Sequence, residues 1–300
     1  MKKAIPKKYC GFLITKDGDG MEAIKGKLYL VSTPIGNLGD ITLRAIETLK
    51  SVDKIYAEDT RTSQKLLNYY EIKTPLLSHH KYNENQRINL IVEELKQGLN
   101  IAVISDAGTP LINDPGESLV KRLIAENLPV THIPGATALI SALLLSGKEP
   151  QPFLFYGFLP SKPSEKEKIL KTLVDVPYTL IFYEAPHRIQ TTLQTFKKVF
   201  KQRDFSIVRE ITKIYESSLH YSLSKIDEVP DVKGEIVLVF EGNKTKSSFK
   251  NEDLIDHIKL NIEDGLSEME AIKRVSKTRK MKKNDVYMAF QKHKQNQRSE

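Results

Sequence analysis

Short runs of apolar residues alternate along the chain with segments in which apolar residues recur every three or four positions. The first run, residues 28–31, predicts a buried strand, and the recurrence of Leu43, Ile46 and Leu49 predicts a helix after it. The same patterns predict strands at 54–57, 76–79, 101–104 and 130–133 and helices at 85–97, 118–126 and 136–145. Strands that alternate with helices are typical of a parallel sheet covered on both faces.

A second alternating block follows Pro150 and Pro152, which mark a domain boundary. Its patterns predict strands at 153–158, 179–183, 206–208 and 235–240 and helices at 164–174 and 186–200, from which we expect a second, mixed sheet. The sequence therefore predicts an α/β protein in four parts, namely an N-terminal extension (1–26), a first α/β domain (27–149), a second α/β domain (150–242) and a C-terminal helical module (250–300).

The C-terminal part, residues 250–300, has helical spacing and no predicted strand. Apolar residues recur every four positions from Leu254 to Ile262. Ser267 and Glu270 form a capping-box pattern, in which each side chain satisfies a backbone N–H at the start of a helix. Short helices joined by a turn predict a helix-turn-helix-like module. A small helical appendage that only packs against the protein has the same pattern.

Positive charge is concentrated in that module. The chain of 300 residues has a net charge of +8, and between Lys273 and Arg298 ten basic residues stand against the single acidic residue Asp285. A basic patch on helical sequence favours binding to nucleic acid phosphates over a solvated lysine-rich tail. The residues that we expect to contact RNA there are Arg274, Arg279, Lys282 and Lys283.

Composition and the lengths of apolar runs exclude several classes of protein. No apolar run approaches the roughly 20 residues that a membrane span needs, and residues 11–20 are too polar for a signal peptide. The sequence therefore predicts a cytoplasmic protein with no membrane contact. A single cysteine, Cys10, excludes an intrachain disulfide and a cysteine-based metal site.

Three loops containing glycine and proline each follow a predicted strand of the first domain. They span residues 32–40, 105–110 and 134–137. Ligands of open α/β sheets collect outside the carboxyl ends of the strands, and glycine lets the backbone approach a ligand closely. Each loop alone fits a tight turn, and none has the spacing of a dinucleotide site or a P-loop. Together they predict a ligand site, in which Asp106 is placed to accept hydrogen bonds from an amine or hydroxyl.

Several longer motifs resemble the RsmI branch of the tetrapyrrole methylase superfamily. They are VSTPIGNLGDIT at 31–42, AEDTR at 57–61, SDAGTPLINDPG at 105–116, FYEAPHR at 182–188, REITK at 209–213 and GEIVL at 234–238. The resemblance covers roughly residues 26–242, and the C-terminal block is similar to the helix-turn-helix of that branch. It implies a two-domain tetrapyrrole-methylase-like fold that uses S-adenosylmethionine and no metal. It also implies a homodimer that methylates a cytidine ribose 2′-hydroxyl of 16S ribosomal RNA in the small subunit.

The resemblance also assigns cofactor contacts, with two residues of the second domain closing over a cofactor held by loops of the first. The implied contacts are Pro34, Ile35, Gly36, Asn37, Ser105, Asp106, Ala107, Gly108, Thr109, Pro110, Pro134, Gly135, Ala136, Thr137, Tyr183 and Ile211. The loop 34–37 is also expected to face the substrate. The chain departs from the branch at Ala136, where proline is frequent, and this leaves the contact at that position open.

A ribose hydroxyl is a poor nucleophile, so a proton acceptor would assist methyl transfer. The sequence offers Glu58, Asp59, His80, Glu84, Glu184 and Glu210. Of these we favour Glu184 and Glu210 as catalytic residues. A purely structural role is the alternative for each, for instance the orientation of Arg188 by Glu184. Arg61 and Arg188 are candidate contacts for RNA phosphate, and a surface salt bridge is the alternative for each.

Two other functions fit parts of the sequence. A methylase of the same fold could act on a tetrapyrrole, but the basic C-terminal module and residues 58–61 argue against that acceptor. A non-enzymatic RNA-binding protein could have kept the fold, but the intact cofactor loops argue against it.

Overall fold

The computed structural model describes residues 25–78, 84–113, 116–243, 251–263, 265–279 and 281–297. The predicted extension as far as residue 24, with Cys10, lies outside the described residues, as does His80, and only the backbone of Glu84 is described. The described residues up to Thr137 belong to one compact unit, and those from Ala138 onward belong to a second.

The first unit is built on a five-stranded parallel sheet. Its strands are β1 (Leu28–Val31), β2 (Lys54–Ala57), β3 (Leu76–Ser78), β4 (Ile101–Ile104) and β5 (Val130–Ile133), in the order β3-β2-β4-β1-β5. All four neighbouring pairs are parallel. The helices between them are α1 (Leu43–Ser51), α2 (Thr60–Tyr69), α3 (Glu84–Lys96) and α4 (Glu117–Ala125). The predicted parallel sheet is confirmed, and β4 at its centre is buried along its whole length.

Alternate side chains of these strands enter two separate hydrophobic clusters. One face, including Tyr56 and Val103, packs against apolar residues of α3 and α4. The other, including Ile55 and Ala102, packs against α1 and α2. Because neighbouring positions on a strand point to opposite faces, a strand covered on both sides is apolar throughout. This explains the continuous apolar runs of the sequence.

The second unit contains a mixed sheet. Its strands are β6 (Phe153–Phe158), β7 (Thr179–Glu184), β8 (Asp204–Arg209), β9 (Ser217–Ser222) and β10 (Ile236–Phe240), in the order β6-β7-β10-β8-β9. Only β6 and β7 run parallel, and the other three pairs are antiparallel. Its helices before the C-terminal part are α5 (Ala138–Leu145), α6 (Pro163–Leu173) and α7 (Ile189–Phe200). The mixed sheet agrees with the prediction, whereas β9 was not predicted.

Helix α5 belongs to the second unit, although the sequence analysis placed it before the boundary at Pro150. It packs against β10. The hydroxyl groups of Ser206 and Ser218 donate to the carbonyl oxygens of Ser146 and Leu145, at 2.9 and 2.8 Å. These contacts attach the end of α5 to β8 and β9.

The C-terminal helices are α8 (Asn251–Glu263), α9 (Glu268–Thr278) and α10 (Lys283–Gln297). They share a hydrophobic cluster of their own, which includes Ile258, Ile272 and Phe290. The predicted capping box is confirmed, since the carboxylate of Glu270 accepts a hydrogen bond from the backbone N–H of Ser267 at 3.1 Å. Within the described ranges, no helix is both long and apolar enough to cross a membrane.

Candidate active site

The three predicted loops leave the carboxyl ends of β4, β1 and β5, which are adjacent strands of the first sheet. Because these strands are parallel, their loops emerge at the same edge. The crossovers therefore bring residues 32–40, 105–110 and 134–137 together, although up to about a hundred residues of sequence separate them.

The loops after β1 and β4 are joined through their backbones. The N–H of Thr33 donates to the carbonyl of Gly108 at 2.9 Å, and the N–H of Gly108 donates back to Thr33 at 3.1 Å. Gly108 has a φ of +79°, in the left-handed region that favours glycine. A Cβ atom there would also lie 3.1 Å from Cγ2 of Ile35. Glycine is therefore what lets the two loops lie against each other.

Side chains connect the third loop to the other two. The Ser32 hydroxyl lies 3.1 Å from the Thr109 hydroxyl and 3.0 Å from Nε2 of His132, and the Thr109 hydroxyl donates to the carbonyl of Ala136 at 3.4 Å. A Cβ atom at Gly135 would lie 2.8 Å from Cβ of Ser32. Sequence reasoning missed Ser32 and His132, because their role depends on strand adjacency.

The three loops in contact form what we call the loop junction, and Asp106 holds the segment after β2 beside it. Its Oδ1 accepts a hydrogen bond from the N–H of Asp59 at 3.0 Å. The carboxylate of Asp59 in turn accepts from the N–H of Arg61 at 2.8 Å and pairs with its guanidinium at 2.9 Å. These bonds from Arg61 lower the pKa of Asp59 to about 2. Asp59 is therefore an anion that caps α2, while the Arg61 side chain stays 88% exposed and accessible to a phosphate.

The predicted cofactor residues of the first unit divide by exposure. The buried residues are Pro34, Ile35, Ser105, Gly108 and Pro110. The half-buried residues are Thr109, Gly135, Ala136 and Thr137. The exposed residues are Gly36, Asn37, Asp106, Ala107 and Pro134. An exposed carboxylate beside glycine-containing backbone suits a cationic ligand with an amino acid part. This carboxylate and the backbone beside it therefore fit S-adenosylmethionine, which carries an ammonium and a sulfonium. Among the residues that the structure describes, no group of three or more His, Cys, Asp or Glu side chains is arranged to hold a metal ion.

Glu184, a predicted catalytic residue, lies at the end of β7 with a side chain that is 0% exposed. Its Oε1 accepts from Nε and Nη2 of Arg188 at 2.9 and 2.6 Å and from the N–H of Ala185 at 2.8 Å. Its Oε2 accepts from the Thr192 hydroxyl, which accepts from Nζ of Lys166, both at 2.6 Å. A carboxylate with both oxygens engaged away from solvent is poorly placed to take a substrate proton. The geometry favours the alternative, that Glu184 orients Arg188.

Arg188 connects two loops of the second unit. Its Nη1 donates to the Ser161 hydroxyl at 2.6 Å, and its Nη2 donates to the carbonyl of Leu159 at 3.3 Å. It therefore ties the loop after β6 to the loop after β7. With its guanidinium engaged on Glu184 and on this loop, Arg188 is a weaker candidate for RNA phosphate than Arg61. Burial also lowers the pKa of Lys166, the second cation near Glu184.

Glu210, the other predicted catalytic residue, connects the end of β8 to the start of β10. Its Oε1 accepts from the N–H of Glu235 at 2.9 Å and from Nζ of Lys213 at 3.0 Å. The backbone N–H of Glu235, and then Lys213, lower the pKa of Glu210. Gly234 leaves room for this carboxylate, since a Cβ atom there would lie 2.3 Å from Oε1. Glu210 is therefore a stabilised anion rather than a strong base.

We expect Glu210→Gln to make the stability of the protein less sensitive to acid. The pKa of Glu210 in the folded state lies below its unfolded value of about 4.3. The carboxylate therefore adds stability that is present above the unfolded pKa and lost as the pH falls through the folded pKa. Melting temperatures at about pH 6 and about pH 3 should differ less for the variant than for the unaltered protein. An equal difference would show that this linkage is absent.

The loop after β8 has a strained backbone around Ile211, a predicted cofactor residue. Glu210 and Thr212 have φ values of +49° and +68°, which is rare for a β-branched residue such as Thr212. The Thr212 hydroxyl is buried with no hydrogen-bond partner among the described residues, and Ile211 is buried. Such strain concentrates at ligand sites. The strain supports a role for this loop in ligand binding. Sequence reasoning did not identify Thr212 as part of the candidate site. Tyr183, half-buried on β7, makes an edge contact with Phe158.

The predicted RNA contacts of the C-terminal module differ in exposure. Arg274, Lys282 and Lys283 are exposed. Arg279 is half-buried, and its Nε donates to Nδ1 of His257 at 3.2 Å. Burial and the neighbouring arginines lower the pKa of His257, which keeps the ring neutral and able to accept this bond. Arg279 therefore joins α8 to the end of α9, and the other three residues are better placed to contact RNA.

Known proteins similar to this chain agree with the resemblance found in the sequence. Residues 27–227 match the family described as Tetrapyrrole (Corrin/Porphyrin) Methylases. The protein named Ribosomal RNA small subunit methyltransferase I of Bacillus subtilis (strain 168) is 43% identical over 274 residues, which cover 88% of this chain and 94% of that protein. The protein of the same name from Synechocystis is 42% identical over 271 residues, which cover 87% of this chain and 96% of that protein.

A solved structure has the same fold. The uroporphyrin-III C-methyl transferase from Thermus thermophilus, complexed with S-adenyl homocysteine, matches 72% of this chain and 97% of its own with a TM-score of 0.52. At 19% identity this likeness concerns the fold alone. Together with the parallel sheet and its loop junction, the sequence matches show that the chain belongs to the tetrapyrrole (corrin/porphyrin) methylase family, in the branch of the small-subunit ribosomal RNA methyltransferases I.

Proposed function

We propose that this protein transfers the methyl group of S-adenosylmethionine to the 2′-hydroxyl of a cytidine ribose in 16S ribosomal RNA. The observation that carries the proposal is the junction of three cross-bonded loops at the ends of β4, β1 and β5, which presents an exposed carboxylate beside glycine-containing backbone. The name of the relatives, small subunit ribosomal RNA methyltransferase, supports the acceptor. The sequence resemblance adds the cytidine and the 2′-oxygen.

The protein contributes position and electrostatics, while the cofactor supplies an electrophilic methyl group on a sulfonium. One oxygen of Asp106 is used by the Asp59 N–H, which leaves the other for the cofactor ammonium. Gly108 and Gly135 hold the backbone close to the junction, and Tyr183 and Ile211 are proposed as further contacts. A fixed cofactor holds its methyl group in line with the incoming oxygen, which is the main requirement of this displacement.

The ribose hydroxyl must lose its proton as the carbon–oxygen bond forms, and Glu58 is our candidate acceptor. Asp59 and Glu210 are held by cations, and Glu184 is buried. Glu58 directly follows β2, is half-buried and forms no ion pair with any side chain that the structure describes.

We expect Glu58→Gln to slow single-turnover methylation by about 100-fold, in the range of general base catalysis, with cofactor affinity unchanged. An unaltered rate would remove Glu58 from the chemistry.

Mapping 2′-O-methyl groups on 16S ribosomal RNA tests the proposal. We expect one cytidine to gain resistance to alkaline cleavage when unmethylated small subunits are incubated with the protein and S-adenosylmethionine. If labelled methyl groups were transferred to a porphyrinoid and none to RNA, the acceptor would be a tetrapyrrole and not ribosomal RNA. Failure to bind S-adenosylmethionine in calorimetry would instead indicate an RNA-binding protein without activity.

The proposal also includes a homodimer, which rests on the resemblance, and a cytoplasmic location, which rests on the absence of a long apolar run and a signal-peptide pattern from the sequence. Sedimentation equilibrium of the purified chain tests the dimer, and a monomer at micromolar concentration would contradict it. Co-fractionation with ribosomal particles tests the location.

A further inference from the structure

Five exposed cations of the C-terminal module form a surface that we call the basic face. Three lie on α9 and two in the turn before and at the start of α10, namely Lys273, Arg274, Lys277, Lys282 and Lys283. None of them forms an ion pair with another side chain that the structure describes. These like charges repel one another, so the face is best satisfied by an anionic partner.

Several lysines of the second sheet and its helices are paired with carboxylates instead. Lys171 and Lys198 both bond to Glu167, at 2.9 and 2.7 Å. Lys213 lies 3.0 Å from Glu210. Each of these three lysines is therefore neutralised by a carboxylate beside it. The five cations of the basic face have no such ion-pair partner among the described residues.

Helix α10 carries a second group of exposed residues, which we call the stacking face. Asn284, Tyr287 and Met288 occupy positions i, i+3 and i+4, so they share one side of the helix. Buried Val286 and Phe290 hold the opposite side against the module core. Tyr287 is 36% exposed and Met288 is 62% exposed. An aromatic ring and a thioether thus lie in water on the helix that follows the basic face.

Phosphate binding explains the basic face but not the stacking face, since phosphates gain nothing from an exposed aromatic ring or thioether. Unpaired bases do, because every base has a flat face that stacks on aromatic side chains. A side-chain amide such as that of Asn284 can hydrogen-bond to a base edge. A helix cannot read bases in duplex RNA, whose major groove is deep and narrow. The combination therefore fits single-stranded or loop RNA.

We propose that the C-terminal module divides the recognition of ribosomal RNA between two surfaces. The basic face binds phosphates without regard to sequence. The stacking face takes unpaired bases from the same strand, with Tyr287 and Met288 stacking and Asn284 contacting a base edge. The proposal rests on the proposed function, because it takes ribosomal RNA as the acceptor, and it deepens that function by specifying an unpaired segment.

Two variants of the full chain separate the two surfaces. Fluorescence anisotropy would measure affinity for a labelled single-stranded RNA of about 12 nucleotides, which is within the usual range of single-strand site sizes, and for a duplex of equal length. Tyr287→Ala with Met288→Ala should weaken single-strand binding about tenfold and leave duplex binding unchanged. Lys273→Gln with Arg274→Gln and Lys277→Gln should weaken both and reduce the slope of log affinity against log salt by about 2.

Matched controls come from the same module. Tyr287→Phe keeps the ring and should bind as the unaltered protein does. Met269→Ala removes an exposed methionine from α9, outside the stacking face, and should change neither affinity. Unchanged melting temperatures would show that the exposed substitutions leave the fold intact.

The inference is overturned if the Tyr287 and Met288 double variant binds single strands as tightly as the unaltered protein, or loses single-strand and duplex binding equally. A dimer that dissociates only in the double variant would also overturn it, because the face would then contact a second copy. Failure of the proposed function gives a different result. The unaltered protein would then methylate no cytidine in 16S RNA, whatever its affinity for single strands.

Discussion

Replacing Glu184 with glutamine is expected to lower the free energy of unfolding by about 3–5 kcal/mol, the usual cost of breaking a buried ion pair from one side. The carboxylate of Glu184 is fully buried and is the counter-ion of Arg188. Through the Thr192 hydroxyl it also stabilises the buried ammonium of Lys166. Glutamine cannot balance these cations, so buried Lys166 and half-buried Arg188 are left without a full negative charge nearby.

Thermal unfolding measures this effect, at about 2–4 °C per kcal/mol for domains somewhat smaller than this chain. The matched control is Glu167→Gln on α6, which breaks exposed pairs with Lys171 and Lys198 and should cost less than about 1 kcal/mol. Equal melting temperatures for the two variants would contradict the structural role of Glu184. A folded Glu184→Gln variant with an unchanged methylation rate at low temperature would support that role and exclude Glu184 as a base.

Replacing Asp106 with asparagine is expected to weaken S-adenosylmethionine binding by about 10- to 100-fold, the effect of losing a hydrogen bond to a charged group. Asparagine keeps an oxygen that can accept the Asp59 N–H, so the segment after β2 stays in place. Only the negative charge offered to the cofactor is lost. Asp106→Ala removes both interactions and should also reduce the maximal methylation rate.

Titration calorimetry with S-adenosylmethionine measures the affinity of each variant. Asp53→Asn is the matched control, because Asp53 precedes β2 at the opposite edge of the sheet, where its carboxylate accepts the N–H of Asn100 at 2.7 Å. That variant should bind the cofactor normally. If Asp106→Asn does so too, the carboxylate is not a cofactor contact and serves only to position Asp59.

Features set by local sequence were the ones predicted correctly. The capping box of Ser267 and Glu270 needs only residues three apart, and buried strands such as β4 are apolar throughout. Helix α2 was missed, although its amino end is capped by Asp59, a residue that the sequence analysis considered only for chemistry. Strand β9 was missed because its edge position lets it be rich in serine and its sequence lacks an apolar run.

The candidate site depended on information that a single sequence does not carry. The loops could be found from glycine and proline after strands, but their contact follows from the strand order β4-β1-β5. Glu184 was chosen for its chemistry, whereas its burial depends on Lys166 and Thr192, from two different helices. The orphaned hydroxyl of Thr212 leaves no trace in the composition of its loop.

The paired hydrogen bonds between Thr33 and Gly108 form an antiparallel bridge between the loops that follow β1 and β4. The entropy of ordering these loops is therefore lost during folding and not during ligand binding, so the cofactor-binding site is preorganised. Because backbone contacts fix this site, its conformation does not depend on which acceptor approaches it. Acceptor specificity can then diverge through appended elements such as α8–α10 while the cofactor-binding site stays the same. This gives a physical reason why one fold occurs in methylases named for porphyrins and in others named for ribosomal RNA.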